Sequence, residues 1–110
     1  MTPLSTHSLS PLEWTQLLRL WALNRDKLYG NFTVEQFIKY IVGTAAEGRC
    51  WVGRRADGFI EAFTIVEARG PTLFVEAWAG PTKYVAMFDT APFTHIEYQK
   101  GGKTFRHQLL

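Results

Sequence analysis

Cysteine occurs once in the 110 residues, at Cys50. A single thiol excludes an internal disulfide and a multi-cysteine metal site, and it fits a reducing, intracellular origin. Histidine is also scarce: His7, His95 and His107 show no metal-ligand spacing, so no metal is expected. No spacing brings Cys50 together with His95 or His107 as a nucleophile–base pair. A lone cysteine opening an apolar strand is ordinarily a small buried hydrophobe. Long apolar runs are missing, and none approaches the ~20 residues that a membrane span needs. No basic region followed by an apolar run stands at the N-terminus, so no signal peptide is expected. Charge of one sign does not accumulate either: 12 basic and 10 acidic residues leave a formal +2. Arg54-Arg55 and the cluster at 100–106 are too thin for the basic stripe of a nucleic-acid surface. A soluble protein with neither membrane nor nucleic acid as partner is expected.

Aromatic residues, by contrast, are abundant: four Trp, eight Phe and four Tyr make 15% of the chain. A chain of this length forms one domain, residues 1–110, with a single modest core. So many rings exceed what that core hides easily, which points to a groove or an interface. A protein partner or self-assembly is the expected use.

Two helices are written at the start. Ser10 precedes Pro11 at the first helical position and Glu13 at the third, a capping box with proline where its missing N–H costs nothing. Trp14, Leu17, Leu18, Trp21 and Leu28 follow helical spacing, and the helix is expected to stop near Tyr29-Gly30. Thr33 and Gln36 repeat the capping box for a second helix. Val34, Phe37, Ile38, Ile41 and Ala45 form its inward stripe, and Gly48 is its stop.

After Gly48 the apolar period shortens. Segments 49–56 and 59–68 flank Asp57-Gly58, the strongest two-residue hairpin signal. That turn would set Arg54 opposite Glu61 and Val52 opposite Phe63. The second of these strands is apolar on both faces and is expected to be central. Gly70-Pro71 leads to a third strand, 73–79. Residues 82–91 read as a short helix with Thr82 as cap. A last hairpin, 93–99 and 104–110, would set Tyr98 opposite Phe105, Ile96 opposite His107 and Glu97 opposite Arg106. The expected fold is α+β: two N-terminal helices, an antiparallel three-strand meander, a short helix and a C-terminal β-hairpin.

Three carboxylates lie on the meander. Glu61 has Arg54 across the turn, and Glu67 is expected in solvent near a strand end. Glu76 sits between Phe74 and Trp78 on one strand face, either an aromatic surface or a cleft in which it could act as a general base. Trp14 and Trp21 are expected in the helix–sheet core. Trp51, Phe74 and Trp78 are the interface candidates, since strand-borne aromatics make good anchors.

Two capped helices lead into Trp51-Val52 and the run from Arg54-Arg55 through Asp57-Gly58-Phe59-Ile60-Glu61 to Glu67. The strand Leu73-Phe74-Val75-Glu76-Ala77-Trp78-Ala79-Gly80 comes next, then a short helix and a closing strand pair. In this order the chain resembles the Gcn5-related N-acetyltransferase (GNAT) fold, in the short divergent form common among phage and prophage genes. The likeness spans roughly residues 11–110. It implies acetyl-CoA as cofactor, its pyrophosphate held by a Gln/Arg-x-x-Gly-x-Gly/Ala loop at a helix N-terminus, where backbone N–H groups meet the phosphates. The equivalent stretch here is Ala79-Gly80-Pro81-Thr82-Lys83-Tyr84. It has one glycine and no leading Arg or Gln, and Pro81 removes an N–H donor. Gly80, Thr82 and Lys83 are what is left to hold a cofactor. By the same resemblance Glu76 would be the base and Tyr84 or Tyr98 the acid.

Two function classes follow. One is a GNAT-like module without catalysis or cofactor, binding or structural, as a phage-encoded virion or assembly protein in the host cytoplasm or the particle. The other is a divergent acetyl-CoA-dependent N-acyltransferase. The missing loop motif favours the first.

Overall fold

The computed structural model describes residues 1–24, 31–81, 83–84, 93–100 and 102–108. Both helices begin where their capping boxes stand. In α1, Pro11–Leu23, the Ser10 hydroxyl accepts from Glu13 N–H while the Glu13 carboxylate accepts from Ser10 N–H. In α2, Val34–Ala46, Thr33 and Gln36 make the same reciprocal pair. Each cap satisfies donors that the first helical turn leaves unpaired. α1 ends earlier than the expected stop at Tyr29-Gly30. The Asn24 side chain donates to Leu20 O at 2.8 Å and its backbone N–H turns back to Trp21 O, which closes the helix. Leu28, Tyr29 and Gly30 lie outside the described residues.

The expected three-strand meander is the middle of a larger sheet. Among the described residues six strands run in the order β1 (Thr2–Pro3), β2 (Cys50–Arg54), β3 (Ile60–Arg69), β4 (Thr72–Ala79), β5 (His95–Lys100) and β6 (Lys103–Gln108). The sheet is mixed, because β4 and β5 pair in parallel over Thr72–Phe74 and His95–Glu97 while the other neighbours are antiparallel. Apolar pattern could not announce that step, since a hairpin reads alike whichever strand it docks against. The expected short helix at 82–91 lies outside the described residues except for Lys83 and Tyr84, which form a single turn closed by Tyr84 N–H to Pro81 O.

Sheet and helices enclose one main core. Leu17, Trp21, Phe37 and Ile41 from the helices meet Cys50, Val52, Ile60, Phe63, Ile65, Ala77 and Ala79 from the sheet. Phe37 stacks on Trp21 at 4.9 Å between ring centroids and tilts against Phe63 at 5.9 Å. The far face of the sheet carries a second cluster, Val66, Leu73, Val75 and Ile96, with Met1, Trp51, Trp78, Phe93 and Tyr98 packed half-buried against it. β3 is buried continuously from Ala62 to Val66, as a strand covered on both faces must be.

The first hairpin departs from the two-residue turn. Arg55 N–H reaches Phe59 O and Gly58 N–H reaches Arg55 O, so the loop is the three residues Ala56-Asp57-Gly58, with Gly58 at φ +89°. A three-residue loop ending in a left-handed glycine is the next most favoured hairpin connection. Val52 faces Phe63 as expected, but Arg54 faces Ile60 rather than Glu61. Between Ala62 and Ile60 the partner strand advances only from Gly53 to Arg54, so Glu61 is the extra residue of a β-bulge. Arg54 turns instead to Glu13 of α1, at 2.9 Å. The last hairpin has the expected register, Tyr98 with Phe105, Ile96 with His107 and Glu97 with Arg106.

Candidate functional site

A second bulge governs the residue of most chemical interest. β3 advances one step, Ile65 to Val66, while β4 retreats two, from Ala77 to Val75, so Glu76 is the extra residue there. A bulge sets two successive side chains toward the same side of a sheet. Ala77 belongs to the helix-side core and Val75 to the far-face cluster. Glu76 therefore turns toward the helices, where Tyr40 of α2 donates to its Oε1 at 3.0 Å and Arg49 to its Oε2 at 2.9 Å. Trp78, opposite Thr64, keeps to the far face. The expected single face of Phe74, Glu76 and Trp78 is thus broken, because one inserted residue inverts the alternation on either side of it.

Arg49 binds the neighbourhood together. Besides Glu76 it reaches Glu47 at 3.4 Å and Val66 O at 3.1 Å, and the carboxylate of Glu76 holds its guanidinium proton more firmly than usual. Nearby, Arg69 pairs with Glu67 at 3.0 Å and lies over the Phe74 ring at 3.7 Å. Glu47, Arg49, Glu67, Arg69 and Glu76 line an open, shallow depression. Three carboxylates thus face two guanidinium groups, and each arginine already has an acidic partner. Spacing along the chain gives no hint of Tyr40 or Arg49 as partners of Glu76, since they stand 36 and 27 positions away.

Tyr84 is brought to the other side of the sheet. Its ring occupies the space over Gly53, where a Cβ would fall 2.6 Å from two ring carbons. Gly53 alternates with Val52, which faces the helices, so that space lies on the far face. The Tyr84 hydroxyl donates to the bulged Glu61, whose carboxylate raises the phenol's pKa above the ordinary tyrosine range. Glu76 and Tyr84 therefore do not meet. Gly80 has φ +103°, and a Cβ there would run into Glu61 O and Ala62 of the neighbouring strand. This is a close-approach glycine pressed on backbone. Lys83 Nζ lies 5.1 Å from the Tyr84 ring centroid. Thr82 lies outside the described residues.

The chain matches no family model, no curated protein and no solved structure.

The interface candidates divide between the faces. Trp51 and Trp78 flank Thr64 across the far face, and Trp78 meets Tyr98 edge-on at 6.3 Å. Tyr98 stacks in turn on Phe105 at 5.4 Å and on His107 at 5.6 Å. The Trp78 indole N–H donates to Gln99 O at 3.1 Å, beyond the three parallel rows that join β4 to β5. Phe74 lies under Arg69, away from this aromatic row. Cys50 is fully buried, and burial pushes its thiol up to about 12. His95 contacts Thr94, and His107 contacts Tyr98. Among the described residues no three His, Cys, Asp or Glu side chains gather as metal ligands, and no helix is long and apolar enough to cross a membrane.

Proposed function

We propose that the chain is a GNAT-like module without acyltransferase activity, a binding or structural protein whose working surface is the far face of the sheet. The observation that carries it is the separation of the two groups an acyl transfer would need. A general base and acid must both come within hydrogen-bond reach of one substrate. Glu76 is tied to Tyr40 and Arg49 on the helix side, and Tyr84 is tied to Glu61 on the other. Support also comes from the turn after β4, where Pro81 offers no N–H and Gly80 is packed on β3. The row of Trp51, Trp78, Tyr98 and Phe105 supplies rigid aromatic area of the kind that anchors partners. A role in phage virion assembly is the setting that the family resemblance suggests.

Calorimetric titration with acetyl-CoA tests the proposal. No heat of binding is expected up to millimolar cofactor, and micromolar affinity would overturn it. Glu76→Gln should leave that result unchanged while lowering stability by about 1 kcal/mol, because Arg49 loses the closer of its two ionised partners.

A further inference from the structure

The two edges of the sheet are finished differently. β1 closes one edge with two residues, of which Pro3 has no N–H to offer. β6 closes the other with six residues, none of them proline, and all six are exposed. A long open edge presents unpaired N–H and C=O groups to any strand that can lie beside it. Charge narrows what that strand can be. Lys103 and Arg106 lie on β6, and residues 100–110 contain no Asp or Glu. A second copy of β6 has no carboxylate to set opposite them. Lys103 and Arg106 are three positions apart, so a period of two sends them to opposite faces of the ribbon. A phosphate backbone running along one face would meet only one of them. An added peptide strand alternates its own side chains in the same way and meets both. Between them Phe105, 37% exposed, offers an apolar contact beside Tyr98.

We propose that the outer edge of β6 pairs with an extended acidic segment of a partner protein, with carboxylates opposite Lys103 and Arg106 and an apolar residue opposite Phe105. Strand addition supplies the main-chain bonds, and the paired charges choose the partner. The site shares Phe105 with the aromatic far face and does not depend on whether acetyl-CoA binds.

The test is a nuclear magnetic resonance titration with the capped peptide Thr-Glu-Val-Thr-Glu-Thr. Saturable shifts confined to the amides of β6 and β5 are expected. The peptide with Lys in place of both Glu should bind about tenfold more weakly or worse. Methylating alternate peptide nitrogens along the pairing edge should abolish the shifts. Lys103→Glu should erase the preference between the two peptides, since it leaves one cation and one anion along β6. Position 103 is exposed on the outermost strand, so the fold of that variant is retained. Equal binding of the Glu and Lys peptides to the unsubstituted chain, or undiminished binding of the methylated one, would overturn the proposal. So would tighter binding of a short single-stranded oligonucleotide at the same amides, which would assign β6 to nucleic acid.

Discussion

At the scale of single residues, environment overrides identity. Glu61 and Glu76 are both strand-borne carboxylates, and each is the extra residue of a bulge. One bulge turns its carboxylate to a tyrosine on the far face, the other to a tyrosine and an arginine beneath the helices. Glycine has a comparable role at position 53, where the absence of a side chain admits the Tyr84 ring. Cys50 shows the same dependence in its chemistry. Its thiol is raised from 9.0 to about 12 by burial, so the folded chain holds that proton more tightly than the unfolded one. The resulting stabilisation is complete below pH 9.0 and is lost as pH rises toward 12. At pH 8 a disulfide reagent such as DTNB should modify the native protein at least about a hundredfold more slowly than the denatured chain. Equal rates would place the thiol at the surface.

At the scale of elements, short-range chemistry sets where each one starts. Ser10→Ala should cost about 1 kcal/mol through the lost cap, read from the denaturation midpoint. Glu13 adds a pH signature. Its hydrogen bond from Arg54, with help from Ser10 N–H, holds the carboxyl below 4.5 in the folded chain. Its contribution is therefore present above pH 4.5 and disappears as pH falls through the lowered folded value. Glu13→Gln should lower stability at neutral pH by about 0.5–1 kcal/mol and flatten the acid limb of the stability curve. An unchanged acid limb would mean that the pair with Arg54 contributes nothing. The first hairpin illustrates what local signals leave open. Asp57-Gly58 marked the reversal correctly, yet a three-residue loop and the bulge at Glu61 moved Arg54 onto Ile60. A turn dipeptide states that the chain reverses, whereas register also depends on what each strand must bury.

At the scale of the whole molecule, the sheet has a firm centre and an open margin. β3 is paired on both sides and buried on both faces, whereas β6 is exposed throughout and, among the described residues, paired only to β5. Local opening follows burial and pairing. Amide hydrogen exchange should accordingly be slowest in Ile60–Val66 and fastest, among the strands, in β6. Protection of β6 equal to that of β3 in the isolated protein would show its edge to be covered by another copy.

Both helix starts, the far hairpin's register and the central position of β3 were legible in the sequence. Capping boxes, glycine turns and apolar period act over a few residues, and their energies are settled before the chain packs. The sixfold sheet, its parallel step between β4 and β5, the two bulges and the partners of Glu76 were not legible. Each depends on residues far apart in the chain, such as Tyr40 and Glu76, that only packing brings within reach. An extra residue in one strand reverses the facing of all that precede it, and no local preference encodes that choice. The sequence by itself determined where the two helices start and that β2, β3, β4 and the last hairpin form, while β1 was not announced. Tertiary structure alone decided which face each carboxylate turns to, because facing is set by the packed sheet as a whole.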